Sequence, residues 1–239
     1  MTTAVIVQAR LGSSRLPGKV LLPLAGGTVL AEVLRRCRAI SDADVVVCAV
    51  PDGTADDPVA EEGERCGAIV TRGHETDVLD RYLRAAEAVA ADVVMRVTSD
   101  CPLIDPEVCG DVLNLRATEN TDYACNNLPP SFPHGLDCEA FTRDALQKAW
   151  SEGKGQDDRE HVTPWLRRAP NIRRVALQGP GGEVARMRWT LDFPEDYEFL
   201  KSTFALLPSA PAIPAWKEIV RLLAANPGLA KINETRRRR

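Results

Sequence analysis

Short apolar, β-branched runs alternate along this chain with stretches of helical periodicity. The runs at residues 4–7, 45–50, 68–70 and 93–97 predict strands buried on both faces, and residues 28–39, 57–66 and 76–90 between them carry apolar positions on one helical stripe. Pro51-Asp52-Gly53 closes the second strand, and Asp56-Asp57-Pro58 opens the following helix with an acidic cap. Three βα units therefore precede residue 100, which predicts an α/β fold with a mostly parallel sheet. Such sheets bind ligands at the carboxyl ends of their strands, where Arg10, Pro51, Thr71-Arg72 and Ser99-Asp100 converge. Beyond residue 100 the pattern loosens. Residues 122–125 read as a strand, 139–150 as a short strand or turn plus a helix, and 129–135 as a breaker-rich loop. The alternation at 187–192 predicts a late strand, Phe193-Pro194-Glu195-Asp196 opens another helix, and Trp216–Ala225 is a last amphipathic helix packed on the outside.

Composition narrows the class without changing the architecture. The 239 residues fit a single domain over 1–235 followed by a basic tail at 236–239. No run approaches the ~18 apolar residues needed to cross a bilayer. The first residues lack a basic segment leading into a long apolar one, and the seven cysteines are unpatterned and odd in number. Together these predict reduced thiols in a cytoplasmic protein. The formal charge is −4 although four cations sit in the terminal Arg run, so the body is acidic and nucleic acid or a membrane is not expected as a partner. The run itself reads as a solvated tail.

Candidate chemistry concentrates where the first apolar run feeds into Gln8-Ala9-Arg10-Leu11-Gly12-Ser13-Ser14-Arg15-Leu16-Pro17-Gly18-Lys19. Gly12 and Gly18 allow close backbone approach, Ser13 and Ser14 offer hydroxyls, and Arg10, Arg15 and Lys19 neutralise a polyphosphate. The spacing matches neither GxxxxGK[ST] nor GxGxxG. Asp100 and Asp192 each follow a predicted strand, and together they suit a hard divalent cation such as Mg2+ that arrives on a nucleoside triphosphate. Asp105 and Glu195 read as helix caps.

These residues and five further blocks resemble the cytidylyltransferases that make CMP-activated acidic sugars, in particular the spore-coat polysaccharide protein F branch. The blocks are Asp77-Val78-Leu79-Asp80-Arg81-Tyr82, Arg96 through Pro106, Gly135-Leu136-Asp137-Cys138-Glu139, Arg159-Glu160-His161-Val162-Thr163-Pro164 and Thr190 through Asp196. The resemblance spans about the whole chain. It implies a three-layer nucleotide-diphosphosugar-transferase-like fold with a small dimerisation excursion, a homodimer meeting near residues 128–165, and transfer of CMP from CTP to an acidic or modified sugar with release of pyrophosphate. It also implies that Arg10, Ser14 and Lys19 grip the CTP phosphates while Asp100 and Asp192 hold magnesium, so that Arg10, Lys19 and Asp100 carry the reaction. Leu22 stands where the sialic-acid branch has Asn, and Ser-Arg-Leu-Pro-Gly-Lys looks more like the 3-deoxy-octulosonate branch.

The other candidates carry two readings each. Arg72 follows the third strand and is a nucleotide contact alongside Ser99, and Thr71-Arg72-Gly73 with Asp77, Asp80 and Arg81 are candidates for the base and ribose pocket; the other reading makes Asp80 and Arg84 a surface ion pair and Asp77 a helix-terminal charge. His134, Asp137 and Glu139 are candidate sugar contacts, and Arg159 a clamp for a sugar carboxylate. His161 either assists as acid or base or, with Glu160, stabilises a helix starting near Thr163-Pro164. His74 reads as a surface or cap residue, and the four tryptophans as packing. The rival functions are a glycosyltransferase, which would carry a DxD motif absent after the fourth strand, and a silent nucleotide-binding protein, which would have lost the phosphate or metal residues.

Overall fold

The computed structural model describes residues 1–236. Nine strands form in chain order: β1 (Thr3–Gln8), β2 (Pro23–Leu24), β3 (Gly27–Thr28), β4 (Val45–Pro51), β5 (Ile69–Gly73), β6 (Val93–Thr98), β7 (Tyr123–Cys125), β8 (Glu139–Thr142) and β9 (Arg174–Ala176). All but the small β2–β3 hairpin join one sheet in the order β5-β4-β1-β6-β8-β7-β9. Its first half is parallel, with Val5 opposite Val46 on one side and Met95 on the other. The strand β8 runs antiparallel between β6 and β7, and β9 returns parallel to β7.

The apolar runs are continuous because both faces of the sheet are covered. Val5 and Val7 point to one side, where α1 (Val29–Cys37), α2 (Asp57–Arg65), α4 (Pro106–Thr118), α9 (Pro194–Phe204) and α10 (Trp216–Ala225) pack. Ala4 and Ile6 point to the other, against α3 (Val78–Ala88), α5 (Arg143–Glu152) and α7 (Pro164–Arg168). Three layers result, as expected for an α/β domain. Helix starts follow their capping residues: Thr28 Oγ1 accepts from Ala31 N at 3.0 Å, and Asp105 Oδ1 accepts from Glu107 N and Val108 N.

Four local expectations are corrected. Asp56 caps nothing and turns instead toward the loop after β1. At α9 it is Asp196 that accepts from the Phe193 N–H, while Glu195 pairs with Arg236. Residues 187–192 form no strand, because they cross the carboxyl edge of the sheet and find backbone partners on both sides without pairing to a neighbour strand. Trp189 N donates to His134 O at 2.7 Å and Leu191 N to Asp100 O at 2.8 Å, so consecutive residues are buried and the alternation has no solvent face to describe. Finally, α10 is followed by α11 (Pro227–Ile232) and a 3-10 turn, Glu234–Arg236. Arg236 belongs to that turn, and the remaining tail positions 237–239 lie outside the described residues. The seven cysteines are free. No helix among the described residues is long and apolar enough to cross a membrane.

Gly135 is where the 129–137 loop presses onto this crossing segment. A Cβ there would sit 2.7 Å from the Trp189 carbonyl carbon and 2.8 Å from Thr190 N, and its φ is +116°. Gly135→Ala is therefore expected to cost about 3 kcal/mol, lowering Tm by roughly 6–12 °C in a thermal melt. Gly228→Ala, where a Cβ meets nothing within 4 Å, should leave Tm unchanged or raise it. Equal Tm values for the two variants would contradict the contact.

Candidate active site

The loop leaving β1 crosses the carboxyl end of the sheet and closes on itself. Gly18 N donates to Leu11 O at 3.1 Å with Gly18 at φ +68°, a left-handed conformation that glycine adopts without cost. Leu16 N donates to Ser13 Oγ at 3.3 Å, and the outer arm is tied down where Leu11 N donates to Asp56 Oδ1 at 2.6 Å. The 3-10 turn that follows begins at Lys19 and carries its side chain back into the cleft.

There Lys19 Nζ donates to Asp100 Oδ2 at 2.8 Å, to Asp192 Oδ1 at 3.0 Å and to Leu191 O at 2.7 Å. Asp100 lies two residues past the end of β6, and its carbonyl accepts from Leu191 N and from Thr190 Oγ1 at 3.2 Å, which fixes the two acidic segments against each other. Asp192 is held from behind by Arg188 Nη2 at 2.9 Å, and Arg188 is held in turn by fully buried Asp196. Burial works against ionisation of Asp100 and Asp192, but the ammonium, helped by Thr98 at Asp100 and by Arg188 and Arg15 at Asp192, more than offsets it and both carboxyls lie below the ordinary carboxylate range. Burial likewise pulls the ammonium down, and its two carboxylates raise it above normal.

A cleft of about 300 Å³ opens over this centre. Gln8, Ala9, Arg10, Gly12, Ser13, Ser14, Arg15 and Lys19 line it from the first loop, and Ser99, Asp100, His161 and Asp192 from elsewhere. Arg81, a candidate for the base and ribose pocket, lines it too, as do Val78 and Glu160, which the sequence did not mark as site residues. Arg81 is buried and donates to His74 O at 3.0 Å, so it braces the loop before α3, and Gly73 leaves room for its backbone and stem. Arg10 and Glu160 further border a neighbouring hollow with His74, Thr76, Asp77, Gln156 and Arg159.

Other candidates lie elsewhere. Arg72 is not in the cleft lining; it donates to Asp57 Oδ1 at 2.5 Å and to Gly53 O at 2.9 Å. Glu139 is buried under the sheet's carboxyl end, where Arg96 Nη1 donates to it at 2.7 Å, Arg167 Nη2 at 2.6 Å, and Tyr123 through its hydroxyl. Burial opposes its charge, yet the two guanidiniums hold its carboxyl below the usual value. A residue so enclosed is a structural counterion, and it reaches the site only through Arg96, whose Nη2 lies 3.5 Å from Gln8 Oε1. Arg159 is occupied by Asp77 through both Nε, at 2.8 Å, and Nη2. Asp77 also caps α3, and Asp80 pairs with Arg84 at 2.6 Å. His161 ends α6 (Gln156–His161) and is exposed, 3.7 Å from Asp157. His134 and Asp137 flank the centre instead of lining the cleft, with His134 Nδ1 3.3 Å from Arg188 Nη1.

Among the described residues no group of three or more acidic, His or Cys side chains converges to cage a metal. The ammonium shows, however, that two carboxylates converge on one cation position. That pair fits a hard divalent ion whose remaining ligands are phosphate oxygens and water.

A covered, mostly parallel sheet with a basic loop after its first strand and facing carboxylates is the build of a nucleotidyltransferase. The sequence profile of cytidylyltransferases matches residues 4–225, and the chain belongs to that family. It is 34% identical to the spore coat polysaccharide biosynthesis protein SpsF of Bacillus subtilis, over 96% of this chain and 97% of that one. It is 33% identical to the uncharacterized protein MJ1063 of Methanocaldococcus jannaschii, over 98% and 95%. Among solved structures, a cytidylyltransferase from Leptospira borgpetersenii superposes with a TM-score of 0.91 at 29% identity, covering 97% of each chain.

The two depressed carboxyls contribute stability that is present above their unfolded value near 3.9 and is lost as pH falls through their lower folded values. Lys19→Met removes the one cation they share and leaves Asp192 with Arg188 and Arg15 alone. It should lower the unfolding free energy at pH 7 by about 2 kcal/mol, with the gap to the parent narrowing as pH falls below about 4 and through the carboxyls' lower folded values. Urea titrations from pH 7 downward measure this; a gap that does not narrow with falling pH contradicts the assigned interaction.

Proposed function

We propose that this cytidylyltransferase moves CMP from CTP onto an acidic or amino-modified sugar, with magnesium as cofactor, for a surface polysaccharide or related glycan. The observation that carries the reading is the position of Lys19, which joins the polyphosphate-type loop to Asp100 and Asp192 in one cleft. Full-length similarity to SpsF supports the glycan setting. Seven free cysteines are in keeping with a cytoplasmic, reducing environment. Exposed Leu128, with neighbouring Pro129 and Pro130, fits the homodimer contact proposed near residues 128–165.

A sugar hydroxyl attacks the α-phosphorus in line, the bond to the bridging oxygen breaks, and pyrophosphate leaves with the charge. When bound by Asp100 and Asp192, a magnesium ion supplies neutralisation of the phosphate oxygens at the reacting centre. Arg10, Arg15 and Lys19 stabilise the charge that grows on the leaving pyrophosphate. Ser13, Ser14 and the loop amides orient the chain of phosphates, and Asp56 keeps the loop in place through Leu11 N. Asp137 and His134, beside Arg188, are the residues proposed to meet the sugar, with His161 at the cleft's other wall.

Incubation with CTP, Mg2+ and candidate acidic sugars should release pyrophosphate, and Lys19→Ala should slow that release about a hundredfold. Unchanged turnover in a folded Lys19→Ala protein removes the residue from the reaction. In thermal shifts with the four ribonucleoside triphosphates, CTP at a hundred times its dissociation constant should stabilise by ~2.7 kcal/mol. Equal stabilisation by all four would refute base selection.

A further inference from the structure

Asn233 lies just beyond α11, about forty residues past the acidic centre, yet it is only 1% exposed. Its Nδ2 donates to Arg188 O at 3.0 Å and to Asp196 Oδ1 at 3.0 Å. The same Asp196 accepts from Arg188 Nε and Nη2, both at 2.9 Å, and from the Asp192 and Phe193 N–H groups, both at 3.0 Å. Arg188 Nη2 then reaches Asp192 Oδ2 at 2.9 Å. The amide therefore bonds the carboxylate that orients the Asp192 backbone and the main chain of the residue whose guanidinium orients the Asp192 side chain.

The next turn grips the neighbouring residue. Arg236 Cζ stands 4.0 Å from the Phe193 ring centroid, and Arg236 pairs with Glu195 at 3.3 Å. Arg15 of the phosphate-type loop sits over the same ring at 5.0 Å. The turn after α11 thus bears on Phe193, whose ring Arg15 of the first loop also covers, through side chains that local helix packing does not require.

We infer that Asn233 is a positioning residue for Asp192, so that the C-terminal segment completes the active centre. The inference rests on the reading of Asp192 as a ligand of a nucleotide-borne divalent cation. Without the amide, Asp196 loses a donor and the Arg188 carbonyl is left buried and unpaired, so the whole acidic wall gains freedom to turn.

The test uses the full chain with Mn2+ as probe, its uptake in the presence of CTP read by electron paramagnetic resonance. Asn233→Ala should weaken Mn2+ binding about tenfold or more and lower kcat alongside, while CTP binding without metal stays within about twofold. Asn226→Ala is the control, since Asn226 Nδ2 caps α10 by donating to Leu222 O at 2.9 Å and touches nothing at the site. It should leave Mn2+ affinity intact whatever it does to Tm. Wild-type Mn2+ affinity in folded Asn233→Ala, or an equal loss in Asn226→Ala, overturns the inference. Should Asn233→Ala fail to fold, Asn233→Ser keeps one donor and should show an intermediate loss, with wild-type affinity counting against the inference. If the parent protein itself takes up no Mn2+ with CTP, the metal reading fails separately. The positioning claim is then read from the Arg188 Nε–H resonance, which Asn233→Ala shifts if the linkage holds and leaves in place if it does not.

Discussion

Two carboxylates and one ammonium, drawn together from the three corners of the cleft, are the interaction on which the site depends. Asp100 and Asp192 alone would repel by about 3 kcal/mol at ~5 Å and an effective dielectric near 20, and burial would raise that penalty. Lys19 removes it, at 2.8 and 3.0 Å. The surrounding backbone is built to keep the three in register: Leu191 O takes the third ammonium proton, and Asp100 O takes the Leu191 N–H. Because Gly135 brings the 129–137 loop onto Trp189 and Thr190, the same segment also anchors His134 through its backbone.

Behind that centre lie two charge networks whose inner members, Asp196 and Glu139, are buried. One runs from Asp192 through Arg188 to Asp196, and the other from Gln8 through Arg96 to Glu139 and Arg167. Each is satisfied on nearly every side, which is what makes buried charges tolerable and their geometry single-valued. Their effect is to hold the ends of β1 and of the 187–192 segment in fixed positions. The cleft is thereby organised before any ligand enters, and binding energy is not consumed in assembling it.

The strands of the first half were readable because a sheet covered on both faces leaves no polar position in its runs, and the loop of residues 8–19 because its cations have no partners nearby in sequence. Pairing partners chosen across the fold were not readable. Asp56 looks like a helix cap from its neighbours, yet its partner is the Leu11 N–H. Arg72 and Glu139 look available, yet Asp57 and the Arg96–Arg167 pair occupy them. The segment 187–192 has strand-like alternation, but its hydrogen bonds go to His134 and Asp100, and periodicity carries no record of that. Arg188 and Asn233 lacked any local mark at all.

The donor count of the acidic pair bears on how the proposed cofactor would be used. A site with three or more carboxylates holds a divalent ion whether or not substrate is present, whereas this one offers two and fills the space between them with its own cation. On the proposed reading, the phosphates of an incoming nucleotide compete for Lys19 while its metal competes for Asp100 and Asp192. Each exchange relieves the charge that the other would leave unpaired, so metal and nucleotide favour one another's binding. Positive linkage of this kind needs no moving domain. It follows from one ammonium serving as counterion in the empty cleft and as phosphate ligand in the filled one.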